Sequence, residues 1–350
     1  MISGIDESVL VALVGLFGGV LLGLAARLGR FCTLGAIEDF LYQGSSLRLR
    51  MWGIAIASAI IGSFALIGAG WLPVEKTLYL SQGWYPVASV AGGLLFGYGM
   101  ALAGNCGFGA LARLGGGDLR AFVIVVVMGF SAYVTLSGPL ASLRVWLFPP
   151  AEAAAPQSVA YLLGAASGLS PVVIGLATGA FLMIGALASR PLLAKPAAVF
   201  WSLVVGLAVV SGWAGSAWLA NASFDAVPVS SHSFSAPIGE TMLYAMTSSG
   251  NALSFGVGSV TGVCFGAFIG SLIKGHFRWE ACEDPRELRR QIFGAGLMGV
   301  GAVLAVGCTV GQGISAFSLL AFSAPVTFLA IVAGAAIGLR QLIEGFAAVH

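Results

Sequence analysis

Charge is what this sequence has least of. Only 9% of its 350 residues are Asp, Glu, Lys or Arg, against about a quarter in an ordinary soluble domain. So few charges cannot clothe a water-facing surface of this size, which excludes a freely soluble enzyme. Histidine is as scarce, at 3 residues. The five cysteines fall at scattered spacings with no C-x-x-C anywhere, so neither a zinc site nor a disulfide framework is indicated. The phosphate-binding pattern G-x-x-x-x-G-K-[ST] is absent, which excludes a built-in P-loop ATP motor. The formal net charge is only +2, and no basic tract interleaved with aromatics occurs, so nucleic acid is no partner. No metal site and no cofactor is called for.

What is present is apolar: 58% hydrophobic residues and a mean hydropathy of +0.98. A chain solvated by lipid must satisfy its backbone internally, as helices or as a closed barrel. The apolar runs are long and unalternated, as in Val11–Ala26 and Phe122–Leu136, which predicts helices. The first run lacks a basic flank ahead of it, since Met1–Ser8 carries Asp6 and Glu7. It therefore reads as a permanent span rather than a signal peptide. Nine runs are long enough to cross, at 8–28, 50–71, 85–105, 119–138, 171–189, 197–219, 252–273, 289–307 and 325–344. Four shorter helical pieces, at about 32–42, 107–114, 236–248 and 310–320, read as re-entrant or interfacial, allowed at depth only where they line protein or a cavity.

Basic residues orient the spans. With the N-terminus outside, only Lys76 and Arg144 of the 16 Lys and Arg fall on the outer side, leaving 14 inside, as the positive-inside rule requires. The chain also repeats. Gly92, Gly97, Gly99, Cys106 and Gly109 match Gly294, Gly299, Gly301, Cys308 and Gly311 at a shift of 202 (294 − 92). Phe31-Cys32-Thr33 falls on Phe234-Ser235-Ala236 at a shift of 203 (234 − 31). Within a single membrane domain, 1–350, residues 8–138 form a first repeat and 197–344 a second. The connector 139–196 holds an extra span. That fifth span sets the second repeat upside down, the arrangement in which a transport site lies near the midplane.

Three cysteines stand where a span gives way to a short helix: Cys32, Cys106 beside Asn105 and Gly107, and Cys308 beside Thr309 and Gly311. Ser235 takes the fourth such place. The first turn of a helix offers unpaired N–H groups and a positive dipole end, and so can hold an anion without a fixed cation. No His lies inside a predicted span, and each Arg within one stands near its end. Small polar groups and thiols must then serve, a set that suits an anion carrying soft sulfur. Asn105, Thr309 and Gln312 either line a path or cap helices. Cys264 and Cys282 read as structural, and Glu38 with Asp39 as interfacial partners of Arg48 and Arg50. Arg113 and Arg120 read as topology-setting charges, with receipt of a departing anion as the alternative, and His232 as a solvated loop residue, with gating or pH sensing as the alternative.

At these residues the chain resembles the YeeE/YedE family of bacterial membrane proteins. The strings are Arg30-Phe31-Cys32 with Gly35, Leu102-Ala103-Gly104-Asn105-Cys106, Gly266-Ala-Phe-Ile-Gly270-Ser271, and Gly307-Cys308-Thr309-Val310-Gly311. The resemblance implies an all-α hourglass of nine transmembrane and four short helices in a bacterial inner membrane, N-terminus periplasmic and C-terminus cytoplasmic. It implies uptake of thiosulfate, passed inward by Cys32, Cys106 and Cys308 through transient S–H···S hydrogen bonds. It also implies a small cytoplasmic sulfur-carrier partner, encoded separately or fused. Asn105 departs from the glycine the family often has there, which puts site size and substrate in question. Another sulfur or selenium compound, or a membrane sulfurtransfer or redox protein using the same thiols, stays open as an alternative.

Overall fold

A computed structural model describes residues 6–223, 227–281 and 284–345; Cys282 lies outside the described residues. In chain order the helices are α1 (Glu7–Leu28), α2 (Thr33–Tyr42), α3 (Leu47–Gly68), α4 (Leu78–Ser81), α5 (Pro86–Ala103), α6 (Gly107–Gly115), α7 (Leu119–Leu136) and α8 (Ala141–Leu147). There follow α9 (Val159–Ser167), α10 (Pro171–Leu187), α11 (Arg190–Leu193), α12 (Pro196–Ala222), α13 (Ala236–Thr247), α14 (Phe255–Ile273), α15 (Pro285–Leu304) and α16 (Ser323–Glu344). Between α15 and α16 a short helix is wound as a π-helix over Gly311–Ala316.

Among the described residues, seven stretches are long and apolar enough to cross a bilayer: α1 with α2, α3, α5 with α6, α7, α12, α14 and α16. Two further helices fall short of that standard for visible reasons. α10 has only 17 residues, and the first two turns of α15 carry Arg286, Glu287, Arg289 and Arg290. Helix starts are chemically marked. Asp6, Asp118, Ser158, Ser170, Ser254 and Asp284 each accept a backbone N–H at an N-cap, which relieves one of the four donors a helix start leaves unpaired.

Glycine lets the long helices touch backbone to backbone. α5 and α15 run antiparallel: a Cβ on Gly92 would meet Gly301 O at 2.7 Å, and one on Gly99 would meet Gly294 O at 2.5 Å. The shift of 202 turns the first contact into the second. α1 packs parallel to α14, with Gly15 against Phe255 and Gly23 against Val263. α12 packs parallel to α3, where Gly206 meets Ala55 and Gly62 meets Val210. α16 lies along α5 as α7 lies along α15: Gly97 meets Ile331 and Ala335, and Gly299 meets Met128 and Ala132. The pairs of α13 with α7, α14 and of α6 with α14 have counterparts in α2 with α16, α3 and in the π-helix with α3. α10 lies outside this scheme, antiparallel on α3, with Gly179 over Ile61 and Gly68 under Val172.

Candidate functional site

The three cysteines share one local construction. Cys32, Cys106 and Cys308 each sit in a Cys-x-x-Gly string, and each Sγ accepts the glycine N–H three residues on. The distances are 3.5 Å from Gly35, 3.4 Å from Gly109 and 3.5 Å from Gly311. Two residues before each cysteine the backbone enters the left-handed region: Arg30 at φ 54°, Gly104 at φ 77° and Val306 at φ 53°. This reverses the chain between the end of one helix and the start of the next. At Arg30 and Val306 a side chain bears a conformation that is costly outside glycine. Local strain is held here by the packing around it, and the π-helix that follows Cys308 is a winding found mainly at functional positions.

A polar side chain accompanies each thiol. Thr33 Oγ1 and both amide atoms of Asn105 are buried without a hydrogen-bond partner, and Thr309 Oγ1 has only the neighbouring Cys106 thiol. Such groups normally pair, and leaving one unpaired costs about 1–3 kcal/mol. Cys106 also lies within electrostatic reach of both Cys32 and Cys308. Cys308 takes a second backbone donor from across the interface, Phe234 N–H at 3.3 Å, with Ser233 Oγ at 3.9 Å. Gly107 keeps the two halves in contact here, since a Cβ would strike Met128 Sδ at 2.8 Å and Phe234 O at 2.9 Å. A Cβ on Gly311 would likewise meet Ser233 Oγ at 2.7 Å and Tyr79 Oη at 3.0 Å.

Two cavities flank this cluster. One, of about 950 Å³, is lined by Glu7 and Val11 at the start of α1, with Ser231, Ser233, Ser235, Glu240 and Gly307. The other, of about 510 Å³, is lined by Ala26 and Arg27 at the end of α1, with Cys32, Gly35, Asn105 and Gly109. Val11 on one cavity and Ala26 on the other stand 15 residues apart (26 − 11) on α1, roughly 22 Å at ~1.5 Å per residue. Between the cavities Cys106, Phe108, Phe234, Cys308 and Thr309 are at most 1% exposed, and the Phe108 and Phe234 rings lie 5.4 Å apart. Two thiols and two aromatic rings are thus buried there.

The family model described as sulphur transport matches residues 28–337. This chain belongs to the YeeE/YedE sulphur-transport family. Family members named thiosulfate transporter TsuA from Spirochaeta thermophila and from Escherichia coli K12 are each 25% identical to it. The first match covers 91% of this chain and 96% of the relative; the second covers 92% of each. With its apolar helices, the family membership makes this a multi-pass membrane protein.

The residues predicted from sequence divide as follows. Cys32, Asn105, Cys106, Gly107, Cys308, Thr309 and Gly311 gather at or between the two cavities. Ser235 lines the wider cavity and opens α13, but its side chain makes no capping bond. Cys264 stands apart, its Sγ 3.8 Å from Leu111 O. Gln312 is a capping group: Nε2 donates to Ala305 O at 2.9 Å and Val306 O at 3.1 Å. The expectation for His232 was wrong. It is fully buried, Nδ1 2.7 Å from Ser259 Oγ and its ring 5.0 Å from Phe255, because the segment before α13 folds inward. Asp39 pairs with Arg48 at 3.3 Å as expected. Sequence reasoning missed Tyr79, Phe108, Ser233 and Phe234. The recurring Cys-x-x-Gly string was the available signal for the backbone donors.

Proposed function

We propose that this protein carries thiosulfate, or a closely related sulfur anion, inward across a bacterial inner membrane, past Cys308, Cys106 and Cys32 in turn. The observation that supports this best is the matched capping of three thiols between two cavities at opposite ends of the bundle. An N–H···S bond occupies a lone pair on sulfur and leaves the S–H hydrogen free to donate. A neutral thiol can then offer a weak, soft hydrogen bond to the terminal sulfur of thiosulfate and release it again. Asn105, Thr33 and Thr309 supply harder donors for the oxygens. The N-termini of α6 and α13 add favourable dipole ends without a fixed countercharge that would trap the anion.

The architecture that fits is nine crossings with four short helices, in two repeats of opposite orientation, 8–138 and 197–344, joined through 139–196. Its support is the reciprocity of the packing: helix pairs of one half have counterparts in the other, at a shift of 202 or 203 where α5 meets α15 and α16 and where α15 meets α7. The N-terminus is then periplasmic and the C-terminus cytoplasmic, with the 510 Å³ cavity inside. A dianion entering an inside-negative cell climbs about 5 kcal/mol per 100 mV. A gradient, or cytoplasmic consumption through a small sulfur-carrier protein, must offset that climb.

The test is growth of a bacterium lacking its own sulfate and thiosulfate uptake, with thiosulfate as sole sulfur source. Expression of this chain restores growth, and Cys106→Ala or Cys308→Ala abolishes it while Cys264→Ala does not. No growth, with the protein present in the membrane, overturns thiosulfate as the cargo. Equal growth of all three variants overturns the thiol path.

A further inference from the structure

The two cavities differ in charge. The wider one is lined by Asp6, Glu7 and Glu240 against the single cation Arg144. The narrower one is lined by Arg27, Arg30, Arg48, Arg113 and Lys274 against the single carboxylate Glu38, with His276 also on its wall. Of those five cations, only Arg48 is paired with a carboxylate within 4 Å among the described residues, through Asp39. Three of the others are held by neutral oxygens. Arg27 Nε donates to Ser271 Oγ at 2.7 Å, Arg113 to Gly104 O at 3.4 Å, and Lys274 Nζ to Arg27 O and Leu28 O at 2.7 and 3.2 Å. Four cations therefore converge from the end of α1, the turn after it, and the ends of α6 and α14 on one cavity; Asp118 and Glu280 lie within electrostatic reach of Arg27 from the neighbouring side, but among the described residues none of the four is in a salt bridge. Like charges so gathered repel, and an anion between them removes that penalty.

A second, independent observation points to a ligand. Asn105 forms part of the cavity wall, is 1% exposed, and has neither Oδ1 nor Nδ2 paired. We propose that this cavity is a second binding site, separate in chemistry from the thiols, which holds a divalent tetrahedral oxyanion between Arg27, Arg113, Lys274 and Arg30, with the Asn105 amide donating at its inner end. Cys32 lies on the same wall, so an anion leaving the last thiol moves directly into the cationic cavity. That the transported anion is the occupant rests on the route proposed above; the binding itself does not. Because recognition is by charge and shape, sulfate fits it as well as thiosulfate does, and accumulated sulfate would occupy the exit and slow uptake.

The experiment is equilibrium binding of radiolabelled sulfate to the purified full-length protein in neutral detergent at low ionic strength. Sulfate carries no soft sulfur, so the result is independent of the thiol path. Wild type and Cys264→Ala bind sulfate alike, within about twofold. Arg113→Gln and Lys274→Gln each bind at least fivefold more weakly, Lys274→Arg binds like wild type, and Arg340→Gln, on an exposed ion pair elsewhere, is unchanged. Folding is checked by gel filtration. Should the glutamine variants not fold, wild type decides alone: sulfate slows labelling of Cys32 by an anionic methanethiosulfonate, and chloride at equal ionic strength does not. Absence of saturable sulfate binding by folded wild type, or binding that ignores the loss of Arg113 and Lys274, or Cys32 labelling indifferent to sulfate, overturns the assignment.

Discussion

The Phe234 N–H points at Cys308 Sγ from 3.3 Å, so the segment that opens α13 donates directly to the cysteine that caps the last short helix. Gly107 touches the same segment from the other side, its missing Cβ placed 2.9 Å from Phe234 O. Gly107→Ala must push Phe234 or Met128 aside and with it the donor on Cys308. Uptake of radiolabelled thiosulfate should fall at least tenfold at unchanged protein level in the membrane. Gly296→Ala, where nothing lies within 4 Å of the new Cβ, should leave uptake within twofold of wild type.

Serine separates the capping role of the cysteines from their chemistry. A hydroxyl at an N-cap accepts backbone N–H groups well, so Cys32→Ser, Cys106→Ser and Cys308→Ser keep the helix starts in place. What they lose is the soft, weakly held S–H contact to sulfur. Each should melt within a few degrees of wild type in detergent yet transport thiosulfate at least tenfold more slowly. Full uptake in all three would reduce the thiols to caps.

Much of this was legible in the sequence, and the reasons differ between fold and site. Long unalternated apolar runs gave the helices to within a few residues, because lipid leaves no other backbone solution. Breaks at Gly104-Asn105-Cys106 and Gly307-Cys308 gave the short helices; the matched glycines were read only as a repeat, and that they stand where α5 and α15 touch came from the structure. Cys32, Cys106 and Cys308 were found because each stands at a helix start. Tyr79, Ser233 and Phe234 were missed because they arrive from connecting segments with no periodicity. His232 was misread for the same reason: a loop that folds into the bundle looks in sequence like one that does not. Arg27 and Lys274 were counted only as charges that orient the spans, and Arg113 also as an alternative receiver of the departing anion; nothing in their spacing says that three helix ends bring them together.

Gln312 tests how much of the strained turn is held by one side chain. Its amide donates to Ala305 O and Val306 O, the carbonyls left over where α15 ends, and its Oε1 accepts from Ser323 Oγ at 3.1 Å. Gln312→Ala leaves buried acceptors unpaired at about 1–3 kcal/mol and frees Val306 from a left-handed conformation it would not otherwise keep. Thermal unfolding in detergent should shift clearly downward. Gln312→Glu, which keeps the length but removes the donors, should shift it at least as far.

The cationic cavity should also respond to pH through one residue. Burial first, and then the charges of Arg30 and Arg27, hold the Lys274 ammonium below the ordinary lysine range. As pH rises Lys274 therefore loses its proton early, whereas a guanidinium is a far weaker acid than an ammonium. Sulfate binding should thus weaken on the alkaline side. Lys274→Arg should flatten the limb, and an unchanged profile would remove Lys274 from the site.

Sidedness follows from the helix directions and can be read with two introduced cysteines. Trp146, in α8 beside the wider cavity, and Trp279, between α14 and α15, are exposed at 77% and 72%. Three long helices, α10, α12 and α14, separate them. If all three cross, the two positions face opposite sides of the membrane, and the excess of arginine and lysine around Trp279 puts it inside. In a background with the five native cysteines replaced by serine, Trp146→Cys should react with a membrane-impermeant maleimide in spheroplasts. Trp279→Cys should react only after lysis. The reverse pattern would invert the orientation while keeping the crossings. Labelling of both from outside would mean that α10, the shortest of the three and the one with no counterpart in the packing scheme, does not span, and the two repeats would then share one orientation.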